Sequence, residues 1–263
     1  MNEIKNHVPF SEYLDLPYIS AHGLMLIERS PAHYRAAMQA PHRASAKQEL
    51  GTLTHLAILE PDEYTRRLSL APDCDKRSKA GKAEWEAYQA ALPADAISAT
   101  PDQIRSVELM RDAVIAQPYA RALLDDGIAE TTVIADLDGL TVKGRPDWLP
   151  RDLPVIVDLK TAADASPRGF SRAAANFCYH LQAALYTDLL YTVTGQNYDF
   201  IFLVVENESP HGVALYQLED DAIEAGRRRY QAALETYRHC LNTDQWPCYA
   251  TEVLSLELPR WAA

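Results

Sequence analysis

The segment PVIVDLKT, Pro154 to Thr161, constrains this chain more than any other. Val155, Ile156 and Val157 form an apolar β-branched run suited to a buried strand, yet the same run carries Asp158 and Lys160. Alternation along a strand turns positions i and i+2 to one face, so the acid and the amine point the same way. Burying both is costly unless they serve each other or a ligand. A divalent cation would resolve that cost. Hard ions take oxygen ligands and hold one or two protein carboxylates, leaving their other positions to water and phosphate oxygens. Asp147, just upstream in GRPDWLP, is the natural second carboxylate.

The elements around this strand read as helices first and sheet later. Ser20 and Ser30-Pro31 each suit a helix start, and two helices are expected between Ile19 and about Ala40. Ala46 to Leu59 gives another, closed by Pro61, followed by Ala83 to Leu92 and Pro101 to Ala116. Between them, Pro72 to Lys82 is polar and reads as a mobile basic loop carrying Lys76, Arg77, Lys79 and Lys82. From Glu130 the pattern alternates through the turn Asp138-Gly139 to Pro150, a β-hairpin with Asp147 ending its second arm. One helix is expected from about Ser171 to Thr194, ended by Gly195. Strands at Tyr198 to Asn207 and His211 to Glu219 precede a long helix, Asp220 to Leu241, in which Arg227, Arg228 and Arg229 read as a solvated face. The expected fold is α/β, a mixed central sheet flanked by helices with a helical N-terminal half. A single domain over 1–263 is expected, with residues 1–125 mainly helical and 126–263 forming the α/β core.

Bulk properties exclude several classes. A formal charge of −12 argues against a protein that coats nucleic acid through Lys and Arg, although it leaves room for a locally acidic metal site with a minority of basic residues along a phosphate path. Cys74, Cys178, Cys240 and Cys248 are scattered without zinc-finger spacing and read as free thiols. No stretch is apolar enough for a membrane span, and the opening MNEIKNHVPF lacks the apolar run of a secretory signal, so a cytoplasmic location is expected. Gly81-Lys82 lacks the preceding glycine of a phosphate-binding loop, and no HExxH occurs.

Gly144-Arg145-Pro146-Asp147 followed by Asp158-Leu159-Lys160 resembles the PD-(D/E)xK nuclease motif, which implies the restriction-endonuclease-like fold. More narrowly, the chain resembles the RecE-like, phage-type recombination exonucleases and their RecB-nuclease and lambda-exonuclease relatives. Three further segments carry that resemblance. Gly51-Thr52-Leu53-Thr54-His55 is similar to the helix supplying a metal-binding histidine, Gln182 to Tyr186 to the QxxxY element, and Ile19-Ser20-Ala21 with Ser30-Pro31 to the opening segment. Gln182 and Tyr186, four apart, share one helix face.

The resemblance implies a 5′-to-3′ exonuclease on duplex DNA ends that leaves 3′ single-stranded overhangs for recombination by strand annealing. It implies Mg²⁺, with Mn²⁺ able to substitute, bound by His55, Asp147, Asp158 and the carbonyl of Leu159. Lys160 would orient or deprotonate the attacking water, the latter requiring a depressed pKa. Glu130 stands where relatives place an extra carboxylate, and Gln182 and Tyr186 would assist. Lys76, Arg77, Lys79 and Arg145 are the expected DNA contacts. A closed ring of identical subunits, a tetramer, and a RecT-like single-strand annealing partner are implied as well. An iron-sulfur member would need one early and three clustered late cysteines, which this chain lacks. Two alternatives stay open: a structure-specific or restriction-type endonuclease of the same superfamily, and a non-catalytic DNA-binding subunit.

Overall fold

The computed structural model describes residues 2–40, 46–93, 95–250 and 252–258. In chain order, β1 (Glu3–Lys5) is followed by helices α1 (Phe10–Asp15), α2 (Ala21–Arg29), α3 (Pro31–Gln39), α4 (Ala46–Leu59) and α5 (Pro61–Arg67). Then come β2 (Leu68–Leu70), α6 (Lys79–Ala91), β3 (Ile97–Ala99), α7 (Pro101–Ala116) and α8 (Pro118–Leu123). The second half runs β4 (Gly127–Ala129), β5 (Thr132–Leu137), β6 (Leu140–Gly144), β7 (Trp148–Pro150), β8 (Val155–Ala162), α9 (Pro167–Asn176), α10 (Tyr179–Thr194), β9 (Asp199–Glu206), β10 (Val213–Gln217) and α11 (Asp220–Thr243). This is the mixed α/β architecture the sequence implies.

Local chemistry explains the helix starts. The Ser20 and Ser30 hydroxyls accept from the backbone N–H groups of Gly23 and His33, and Thr100 with Gln103 closes a capping box in front of Pro101. Three expectations change. The basic segment is helical from Lys79 onward, because Ser78 caps a helix there. The helix expected over Ser171 to Thr194 is two helices, broken where Cys178 adopts a left-handed φ of 55°. The N-terminal half also holds a short parallel pair, β2 with β3, and β1 joins a sheet.

The main sheet has the order β10-β9-β8-β7-β4, with β8 and β9 parallel from Val155–Asp199 to Ala162–Glu206 and the other pairs antiparallel. A smaller antiparallel sheet has the order β1-β5-β6. The two sheets share one bent hairpin: β5 and β6 continue into β4 and β7, and the N–H of Glu130 donates to the carbonyl of Asp147 across the bend at 2.9 Å. Glu130 itself has a φ of 51°. The bend therefore sits where two candidate carboxylates lie.

The main sheet is covered on both faces. Ile156, Phe200, Phe202 and Val204 pack under α2, α10 and α11, while Val155, Val157, Leu159, Leu203 and Val205 pack against α4 and α7. Fully burying one such side chain contributes roughly 1.5–3 kcal/mol, so β8 is fixed between two cores before any polar group is considered. Among the α11 arginines, Arg227 grips Asp188 on α10 with both nitrogens at 2.7 Å, and Arg229 grips Glu28 on α2 at 2.5 and 2.6 Å. These two are interhelical clamps, not a solvated face; Arg228 alone of the triplet is exposed.

Gly226 lets α11 approach α10, since a Cβ there would overlap the carbonyl of His180. Helix propensity alone makes Gly→Ala favourable by about 1 kcal/mol, whereas forcing atoms into a packed contact costs about 1–3 kcal/mol. Gly226→Ala is therefore expected to destabilise the protein in urea unfolding, and a net stabilisation would contradict this packing.

Candidate active site

Four elements deliver the site. Helix α4 presents His55, the hairpin bend presents Glu130 and Asp147, β8 presents Asp158 and Lys160, and α10 presents Gln182. His55 Nδ1 lies 3.7 Å from Asp147 Oδ2 and 3.8 Å from Glu130 Oε1. Among the described residues, His55, Glu130 and Asp147 form the one group of three ligating side chains whose donor atoms all lie within 4.8 Å.

Each carboxylate is held from behind. The backbone N–H of Leu159 donates to Asp147 Oδ2 at 2.8 Å, which ties that carboxylate to β8. Arg145 donates to Glu130 Oε2 at 2.7 Å, to Thr132 Oγ1 at 3.2 Å and to the Val8 carbonyl at 2.9 Å, with its guanidinium against the rings of Phe10 and Tyr13. That side chain is only 10% exposed, and its donors are committed to the fold around Glu130.

Asp158 is fully buried on the α10 side of the sheet. Its Oδ1 is in ion-pair contact with Lys160, without a well-directed hydrogen bond, and its Oδ2 accepts from Gln182 Nε2 at 3.0 Å. Tyr186, one turn further along α10, is buried against Gly144 and the Arg145 backbone, and so supports the bend from behind. Lys76 rests on the Trp85 ring of α6, its amine 3.1 Å from the centroid, and Arg77 is exposed in the turn before that helix.

The electrostatics fit a cation site. Burial, reinforced by Asp158, pushes the Asp147 carboxyl up to about 7. Burial opposes charge on His55, but Asp147 and Glu130 outweigh it and raise the imidazole to about 9. Two carboxylates crowd one imidazole here, and hard oxygen donors with one imidazole suit a divalent metal. For Lys160 the structure overturns a depressed pKa: burial lowers it, yet Asp158 and Asp147 together raise it, and the amine stays charged.

Residue-level reading of the sequence missed two supports. Arg145 acts on Glu130, and Tyr179 places its ring under Lys160, 4.9 Å from the amine. The second was detectable, since Tyr179 lies three residues before Gln182 on the same helix.

A sheet bent around a histidine and two carboxylates, with an Asp–x–Lys strand alongside, defines the PD-(D/E)xK nuclease class. The chain belongs to the family described as "PDDEXK-like domain of unknown function (DUF3799)", which it matches over residues 20–258. Among solved structures it is similar to a candidate exonuclease from Eubacterium rectale, with a TM-score of 0.66 at 12% identity, covering 95% of this chain and 94% of that one. A phage-related exonuclease from Haemophilus somnus 129PT matches with a TM-score of 0.36 at 12% identity over 89% of this chain and 100% of that one. The first likeness concerns the fold; the second is too distant in shape to add to it. No curated protein matches the chain. None of the described helices is long and apolar enough to cross a membrane.

Proposed function

We propose that this chain is a Mg²⁺-dependent 5′-to-3′ exonuclease that digests linear duplex DNA and leaves 3′ single-stranded overhangs for recombination by strand annealing. The observation that carries the nuclease part is the convergence of His55, Glu130 and Asp147 beside the Asp158–Lys160 pair. Exonucleolytic action and its polarity rest on the RecE-like sequence resemblance, as does a ring-shaped homotetramer working with a RecT-like annealing protein. The exonuclease description of the Eubacterium rectale protein is consistent with exonucleolytic action alone.

His55, Glu130 and Asp147 would hold the cation, with Asp158 close behind. When bound there, the ion polarises a phosphoryl oxygen and offsets charge that builds in the transition state. The charged Lys160 amine orients the attacking water and balances charge on the phosphate, a role for which its raised pKa is suited. Gln182 fixes the Asp158 carboxylate so that Lys160 has one position, and Arg145 does the same for Glu130. Lys76, Arg77 and Lys79 contact DNA phosphates outside the site, whereas Arg145, expected as a DNA contact, positions Glu130 instead.

The test is a linear duplex labelled at either 5′ or 3′ ends, beside a closed circle of the same sequence. Early release of the 5′ label as mononucleotide, dependent on Mg²⁺, with the circle intact, is expected. Cutting of the circle would favour an endonuclease.

A further inference from the structure

We infer that Phe177 is a base-stacking platform for the DNA strand held at the site, with Arg172 and Arg168 of α9 contacting phosphates of the same strand. This rests on the nuclease reading and names the path by which substrate reaches it.

The break between α9 and α10 is the starting observation. Cys178 is not a glycine, and its left-handed conformation costs roughly 1–2 kcal/mol. Phe177, the residue before it, is 61% exposed, so the junction combines a left-handed residue with an unburied aromatic side chain. The ring is nevertheless well supported. Phe177 stacks on Tyr179 with centroids 5.7 Å apart and planes 27° apart, and Tyr179 in turn leans on Phe202 in the core. Lys160 sits over that same Tyr179 ring. Phe177 is thus the outer end of an aromatic column whose middle member lies under the Lys160 amine.

A flat, anchored ring with a solvent-facing side, two ring contacts from the amine that faces the scissile phosphate, suits a nucleobase near that phosphate. Helix α9 leads to this point, and Arg168 and Arg172, four residues apart and so neighbours on one helix face, are exposed on it. Cationic side chains along a helix leading to an aromatic platform are the elements that bind single-stranded nucleic acid: charge follows the backbone, and rings take the bases without regard to sequence.

The experiment measures binding of a fluorescent 12-nucleotide single strand, and of the same strand with abasic sites, to the full chain with Ca²⁺ in place of Mg²⁺. Wild type is expected to prefer the base-bearing strand by about fivefold to a hundredfold. Phe177→Ala should lose that preference while keeping abasic binding, Phe177→Trp should retain it, and Arg168→Glu with Arg172→Glu should weaken both strands alike. Thermal unfolding should be unchanged in the Phe177 variants. A preserved preference in Phe177→Ala overturns the platform, as does a change in its light-scattering mass with the preference intact, which would make Phe177 a contact between copies. Absence of cleavage by wild type with any divalent ion would overturn the nuclease reading separately.

Discussion

Lys160→Met is expected to lower the cleavage rate by at least about 100-fold and to destabilise the protein as well. The rate loss follows from removing a fixed cation beside the phosphate, an effect of about 10²–10³-fold in preorganised sites. The stability loss has a different origin. Asp158 is completely buried, and Lys160 is its counter-ion. Removing one member of a buried pair leaves an uncompensated charge, at a cost of about 3–5 kcal/mol. Gln182 still donates to Asp158, which places the expectation toward the lower end. The two effects separate in the double variant Asp158→Asn with Lys160→Met, which removes the stranded charge. Urea unfolding should show most of the stability restored, while single-turnover cleavage stays as low as in the single variant. Recovery of both together would mean that Lys160 acts only through folding.

Asp147→Asn is expected to weaken Mn²⁺ binding by more than about 100-fold in calorimetric titration. Changing a group that merely orients a ligand typically costs 10- to 100-fold in metal affinity, and losing a ligand should exceed that. The pH dependence gives the same test a sign. Asp147 rises from 3.8 to about 7 and His55 from 6.5 to about 9 in the ion-free protein. Both folded values lie above the unfolded ones, so their contribution to stability is present at low pH and lost as pH climbs through about 7 and then about 9. A metal needs Asp147 ionised and His55 neutral, so its binding strengthens over the same range and releases protons. The gap in Tm between Mn²⁺-loaded and ion-free protein should therefore widen from pH 6 to pH 9. In Asp147→Asn the gap should be nearly absent throughout.

The sequence disclosed those parts of the molecule that periodicity or a short-range rule determines. Val155 to Lys160 could be placed on a buried strand with Asp158 and Lys160 on one face, because β alternation leaves no other option. The start of helix α7 could be placed because Pro101 and Asp102 suit a first turn, and Thr100 with Gln103 caps it there. The three-residue strands β4 and β7 were hidden, since so few residues carry no period, and they exist only through pairing with each other and, for β7, with β8. The break at Cys178 was hidden for a related reason: a left-handed residue other than glycine leaves no mark in sequence and is sustained by tertiary contacts.

The site was legible as a set of residues but not as a partition of roles. His55, Glu130, Asp147, Asp158, Lys160 and Gln182 do come together, from elements spread over more than half the chain. Sequence spacing could not reveal that Glu130 completes the compact group with His55 and Asp147, because that depends on the positive φ at Glu130 and the grip of Arg145. Nor could it reveal the sign of the Lys160 shift, which is decided by two aspartates outweighing burial.

The central claim is that His55, Glu130 and Asp147 hold a divalent ion. Crystals grown with Mn²⁺ and measured at its absorption edge test this most directly. An anomalous peak within coordination distance of His55, Glu130 and Asp147, lost in Asp147→Asn, is the predicted result. A well-ordered site with no peak there, or a peak only elsewhere on the chain, would contradict it.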